Sequence, residues 1–375
     1  MQLNPPPRRP SRHERAHSRR DFFKMVMGRT LAGASILEIA QHQAAWAQAL
    51  ASNADPTRFE IRKAKDGIFQ AFAKPDALLN SNAVIFVNSK EVIVVDSHSR
   101  PSSSASLVAQ IKKEITDKPI KYLIDSHFHW DHANGNATYD KLGAKIIANR
   151  TTQRLMEETS ASRVKGTLDA NGHVARGMAS VPAMIEATKE QIAGGKGNTD
   201  ALKLRLQQME AYTEEMKSFS PTLPNVLFDK SYLLKDKDFD LHIVFNGRAH
   251  TAGDTQVYCP AKGAIATGDV AAAFLGDGFP RDWPRTLDNI MKLKFDTILP
   301  GHGPIQTDHK QMIGMRDYMA ELTPRIIEGK HSGKSITDLQ KTITVASLKA
   351  PLAPNMAQAA LDQHILHMYD RVDLK

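Results

Sequence analysis

His127-Phe128-His129-Trp130-Asp131-His132 puts four good metal ligands into six residues, directly after Pro119 to Asp125, an apolar-rich run that predicts a buried strand. In extended backbone successive side chains alternate faces, so His127, His129 and Asp131 are expected on one side, with His132 joining them where the strand ends. One short loop could then serve two metal ions. Neutral imidazole and carboxylate suit Zn²⁺, and an open position on such an ion brings the pKa of bound water to about 7. Read by itself, the cluster also fits a histidine-rich surface stretch.

Three further segments separate these readings. The apolar run Leu241 to Asn246 is followed by His250-Thr251-Ala252-Gly253-Asp254-Thr255, the run Gly263 to Thr267 by Gly268-Asp269, and Thr297-Ile298-Leu299 by Pro300-Gly301-His302-Gly303. Each candidate ligand stands just past a strand end, beside glycines that permit tight turns and close backbone approach. Singly, a His or Asp in such a place is more often a capping or hydrogen-bonding residue; four segments in this order point to a loop-borne metal site on a rigid sheet.

With these motifs in place, the chain resembles the metallo-β-lactamase superfamily from about Asn82 to His302. The resemblance implies an α/β fold, an αββα sandwich, with two zinc ions at one sheet edge. His127, His129 and His250 would hold the first, Asp131, His132 and His302 the second, and Asp269 would bridge them. Hydroxide oriented by Asp131 and Asp269 would attack the carbonyl carbon of an amide, lactam, lactone, ester or thioester in a small-molecule substrate. The local patterns agree with this fold. Ala83 to Asn88 and Glu91 to Asp96 read as a hairpin about Ser89-Lys90, Ser102 to Thr116 as a helix, and Ile120 to Asp125 and Ala144 to Ala148 as strands.

Departures from the subfamilies narrow the likeness without fixing a substrate. Diiron flavoproteins carry a glutamate where this chain has His129, and the one-iron dioxygenases do not use all of Asp131, His132, Asp269 and His302. Zinc β-lactamases of the cysteine-ligand subclass have Cys at the position of Asp269 and usually Lys three residues later, where Ala272 stands. Lactonases commonly have Tyr there, and glyoxalase II typically has a second His where this chain has Asp254. A non-catalytic metal- or ligand-binding accessory protein on the same fold is the competing class. Degenerate members lose ligands, and this chain keeps all seven. Asp254 is one candidate carboxylate for orienting a ligand ring.

Before the motifs, Ser18-Arg19-Arg20-Asp21-Phe22-Phe23-Lys24, the apolar stretch Met25 to Ala40 and small residues ending at Ala47 or Ala49 resemble a cleaved twin-arginine signal over residues 1–49. This implies the twin-arginine export machinery as a partner and a periplasmic location. The apolar stretch, broken by Arg29 and Glu38, is too weak for a stable membrane anchor. Residues 1–47 carry eight Lys or Arg against three Asp or Glu, a surplus of five that leaves only +3 of the chain's +8 elsewhere. Nucleic acid is thus an unlikely partner. At 41% apolar over 375 residues, the remainder can bury a sizeable core.

The expected catalytic domain is 50–306, with a helical insert at about 155–220 and a C-terminal helical extension at 307–375. In the insert, Gly166 to Gly177 reads as loop and Val181 to Lys217 as two helices broken at Gly194-Gly195-Lys196-Gly197, either covering the site or packed on an outer sheet face. Three amphipathic helices, Thr307 to Glu328, Ser335 to Thr344 and Asn355 to Val372, are expected in the extension, where His364 and His367 read as packing or solvent-facing residues. The single cysteine, Cys259, reads as a buried apolar residue. Phe128, Trp130, Phe274, Leu275, Phe279 and Trp283 are candidates both for pocket walls and for core.

Overall fold

The computed structural model describes residues 58–74, 81–173, 179–195, 197–271, 275 and 277–374. The expected signal over 1–49, Ala272, Phe274 and the loop positions 174–177 lie outside the described residues.

Two mixed sheets carry the fold. The first has seven strands in the order β1 (Phe59–Lys65), β2 (Ile68–Ala73), β3 (Ala83–Val87), β4 (Val92–Val95), β5 (Ile120–Ile124), β6 (Lys145–Asn149) and β7 (Val226–Phe228). Neighbours from β1 to β4 run antiparallel, and from β4 to β7 parallel. The second sheet has five strands in the order β12 (Thr297–Pro300), β11 (Ala264–Gly268), β10 (Gln256–Cys259), β9 (Leu241–Val244) and β8 (Ser231–Leu234). Only β11 and β12 are parallel there. The runs Val92-Ile-Val-Val95 and Ala264 to Gly268 are buried throughout. That is the signature of strands covered on both faces, by a facing sheet and by helices.

Three apolar clusters define the layers. Ile68, Phe86, Ile93, Ile124, Ile243, Val257 and Leu299 meet between the sheets, with Cys259 fully buried among them as expected. On the outer face of the first sheet, Ile85, Val94 and Leu123 pack against α1 (Pro101–Glu114) and α3 (Asn136–Lys141). On the outer face of the second, Ile265 and Ile298 pack against α7 (Trp283–Met291), α8 (Lys310–His331) and α10 (Gln358–Tyr369). The result is the αββα sandwich. The C-terminal helices, including the short α9 (Ile336–Thr342), share their core with the strands and supply much of the fourth layer.

Between β6 and β7 stand α4 (Arg150–Leu168), α5 (Val181–Ala193) and α6 (Thr199–Met216). Gly166, expected in a loop, lies in the last turn of α4. That helix starts on an Asn149 cap and buries Met156, Ser160, Val164 and Thr167 along one side, so its packing outweighs the modest helix cost of one glycine. Val164, Val181, Ile185, Met209, Tyr212 and Met216 close around Trp130, which places the insert against the His127–His132 segment.

His364 is a packing residue. The Tyr318 hydroxyl shares a hydrogen bond with its Nδ1 at 2.7 Å, and burial, with His367 nearby, pushes it down from 6.5 to about 4. The unfolded chain therefore takes up this proton first as pH falls. The stability it contributes is complete above about pH 6.5 and is lost as pH drops toward about 4. His364→Gln, which keeps a hydrogen-bonding group for Tyr318, is expected to show a flatter fall of melting temperature across that window. An unchanged slope would remove His364 from the acid response.

Candidate metal centre

All seven sequence-selected residues meet at one edge of the two sheets. Strand β5 ends at Ile124, the chain bends through Ser126 to Phe128, and a helical turn, α2 (Trp130–Ala133), delivers Asp131 and His132. The expected alternation along an extended strand is thus corrected. The bend and the helical turn, rather than a two-residue period, bring these side chains together. His250 follows β9, Asp269 follows β11, and His302 follows β12. Gly268, at φ 53°, adopts the left-handed conformation that turns β11 sharply into Asp269.

The donor atoms form three overlapping groups, each able to hold an ion: His127, His129 and His250; His127, His132 and Asp269; and Asp131, His132 and His302. His129 Nδ1 lies 3.0 Å from His250 Nε2. On the other side His302 Nε2 is 3.0 Å from Asp131 Oδ2 and 3.3 Å from His132 Nε2. Asp269 Oδ2 stands between the groups, 3.5 Å from His132 Nε2 and 3.6 Å from both His250 Nε2 and His302 Nε2. Such separations match the edge of a tetrahedron, about 3.3 Å, when each ligand lies about 2.0 Å from a central zinc.

Hydrogen bonds behind the rings aim their lone pairs inward. His132 Nδ1 donates to Asp96 Oδ2 at 2.8 Å, leaving Nε2 facing the cluster. His129 Nε2 donates to Asp277 Oδ2 at 3.0 Å, leaving Nδ1 facing it. The Ser126 hydroxyl donates to Asp96 Oδ2 at 2.9 Å, so the 3.0 Å contact of Ser126 Oγ with His127 Nδ1 is best made by a ring N–H. His127 Nε2 is then a bare acceptor, buried and without a hydrogen-bond partner, as is Asp269 Oδ1. Buried polar atoms are rarely left so. A bound cation would complete both.

The charges agree. Burial raises the carboxyl pKa of Asp131 and Asp269, but the neighbouring His132 and His302 outweigh it and hold both well below the usual range. Burial also disfavours charge on His132, yet Asp131, Asp269 and Asp96 together force its pKa well above 6.5. His127 goes the other way: burial, reinforced by His132, His129 and His250, keeps it neutral. His127 and His129 are thus held as neutral donors and Asp131 and Asp269 as carboxylates, and a divalent metal would displace the proton that these carboxylates hold on His132.

Residues 77–302, more than half of the chain, match the metallo-beta-lactamase superfamily. The chain belongs to that superfamily. Over 225 residues, 58% of this chain and 66% of the relative, it is 22% identical to the type 2 metallo-beta-lactamase of Elizabethkingia meningoseptica, so it spans just under two thirds of that protein. Among solved structures, it is similar to a metallo-beta-lactamase from Pontibacter korlensis, with a TM-score of 0.49 and 16% identity, covering 70% of this chain and 99% of that one. The DIM-1 metallo-beta-lactamase is similar at a TM-score of 0.49 and 15% identity, covering 71% and 98%.

Around this superfamily site the sequence reading needs two additions and one correction. Asp254 does not orient a ligand ring. It accepts the Thr251 hydroxyl at 2.6 Å and the Thr251 and Ala249 N–H groups at 3.0 and 3.1 Å, so it folds the turn that carries His250. The carboxylates behind the rings are Asp96 and Asp277. Asp96, at φ 70°, sits in a strained left-handed conformation and also accepts the Ser126 N–H at 2.8 Å, tying the end of β4 to the metal loop. An acidic residue closing the apolar run Val92 to Val95 was the available signal for it. Of the aromatic wall candidates, Trp283 is core, fully buried with its indole N–H on the Val270 carbonyl, and Phe128 and Leu275 are buried too.

Proposed function

We propose that this protein is a binuclear zinc hydrolase that cleaves a small-molecule ester, thioester, lactone or β-lactam-type amide at its carbonyl carbon, and that it is exported by the twin-arginine route to the periplasm. The observation that carries the reading is Asp269 Oδ2, placed within 3.6 Å of one histidine of the first triad and two of the second group. His127, His129 and His250 would hold one ion and Asp131, His132 and His302 the other, with Asp269 shared. Bound zinc supplies a Lewis acid for a carbonyl oxygen and activates water near neutral pH.

The residues of the chain do the remainder. Asp131 and Asp269 present acceptor oxygens that orient an attacking water. Asp96 and Asp277 hold the rings of His132 and His129 so that the donor set is formed before substrate arrives. The side chain of His302 is 42% exposed and that of Asp131 16%, against 0% for His132 and His250. Substrate therefore enters over the His302 side. For export, the ordered basic, apolar and small-residue regions of 1–49 support the reading; among the described residues no helix is long and apolar enough to cross a membrane.

The chain expressed from about Gln48 is expected to hold about two equivalents of zinc and to turn over at least one of a chromogenic β-lactam, an aryl ester, a lactone and a thioester. His127→Ala should abolish that turnover. Fewer than about two equivalents, with no turnover on any substrate, would instead mark an accessory protein.

A further inference from the structure

His129 is braced by residues outside the ligand set. Asp277 Oδ2 accepts the His129 Nε2–H at 3.0 Å and the Arg163 guanidinium at 2.6 Å. Arg163 comes from α4, the first helix of the insert, and also lies over the ring of Phe128, 4.8 Å from its centroid. That ring is itself 4.8 Å from the ring of His129. The far side of the same segment is held by the C-terminus. Arg371 donates to the Gly278 carbonyl at 2.6 Å and covers Phe279, whose N–H donates at 2.7 Å to the carbonyl of Ala249, the residue before His250.

We propose that Arg163 is a positioning residue for the metal centre: through Asp277 it fixes the ring of His129 and so sets how tightly His127, His129 and His250 hold their ion. The inference rests on the zinc reading above. The side chain of Asp277 is 33% exposed, so without a cation on its solvent side it can turn outward to water and leave the His129 ring free to rotate. A guanidinium, planar and always charged, pins the carboxylate in one orientation. The insert thereby acts on the chemistry from a distance, and its helix α4 is part of the metal site's support. Carboxylates behind metal-bound histidines commonly govern affinity by 10- to 100-fold, and a residue acting one step further out should fall at the lower end.

Zinc loss from the loaded full-length protein to excess chelator tests this. In Arg163→Gln one of the two equivalents is expected to leave about tenfold faster than in wild type, with the other unchanged. Arg163→Lys, which keeps the charge without the planar fork, should restore part of the difference, and Asp277→Asn combined with Arg163→Gln should add little to either alone. Wild-type rates for both equivalents overturn the proposal, and so does equal acceleration of both, which marks general loosening. If Arg163→Gln does not fold, Asp277→Asn gives the same comparison: acceleration confined to one equivalent supports it, and unchanged rates overturn it. A wild-type protein that binds no zinc overturns this inference together with the zinc reading, whereas two tightly held equivalents in both wild type and variant overturn this inference alone.

Discussion

Asp269→Asn is expected to lower kcat/KM on the best substrate by at least about 10³-fold, about 4 kcal/mol of transition-state stabilisation, and to bring zinc content from about two equivalents toward one. The side chain is buried, its Oδ2 lies 3.5 to 3.6 Å from three histidine nitrogens, and its Oδ1 has no other partner. Asparagine keeps the volume but removes the charge. It also brings an NH₂ group that cannot accept, so one of the two inward positions becomes a donor aimed where a cation must sit. Metal analysis and kinetics on the same preparation measure both effects, and the melting temperature of the chelated protein controls for folding. A variant that keeps two equivalents and acts within threefold of wild type would show that Asp269 bridges nothing.

That residue was legible in the sequence for a physical reason. The donors suited to zinc are few, and all seven stand beside strand ends whose apolar runs can be read locally, such as Ile120 to Ile124 or Thr297 to Leu299. The orienting carboxylates are a different matter. Asp277 reaches a histidine 148 positions away, and Asp96 one 36 away, so each becomes recognisable only when sheets and loops have been brought together. Asp254 was selected because it is close to His250 in the chain, but short polar side chains at such distances most often satisfy their own turn, and here the Thr251 groups claim it. The insert shows the same limit. Its helices follow from their periodicity, apart from the one through Gly166, whereas their contact with Trp130 is a tertiary fact. Arg163 had no local signal at all.

Gly301→Ala is expected to cost about 10²-fold or more in turnover, with zinc lost to chelator correspondingly faster. A Cβ at this position would stand 2.4 Å from Asp269 Oδ1 and 2.7 Å from His132 Cε1. The backbone cannot retreat, because the Gly301 N–H donates to the Gly268 carbonyl at 2.9 Å and its own carbonyl accepts the Asn82 N–H at 2.7 Å. His132 is equally fixed, fully buried and bonded through Nδ1 to Asp96. Asp269 must therefore move, and on the reading proposed above it is the side chain shared between the two ions. Gly143→Ala separates this collision from ordinary backbone strain. Gly143 has φ 71°, and an added Cβ there meets nothing within 4 Å. It should lose about 1–2 kcal/mol of stability, the usual cost of a left-handed alanine, and keep both zinc ions and full turnover. If Gly301→Ala behaves like Gly143→Ala, losing stability alone, then the glycine before His302 serves the turn and not the metal. If turnover and zinc retention fall together while the chelated protein melts as wild type does, the absence of a side chain at 301 is what allows β12 to approach Asp269 closely enough to close the site.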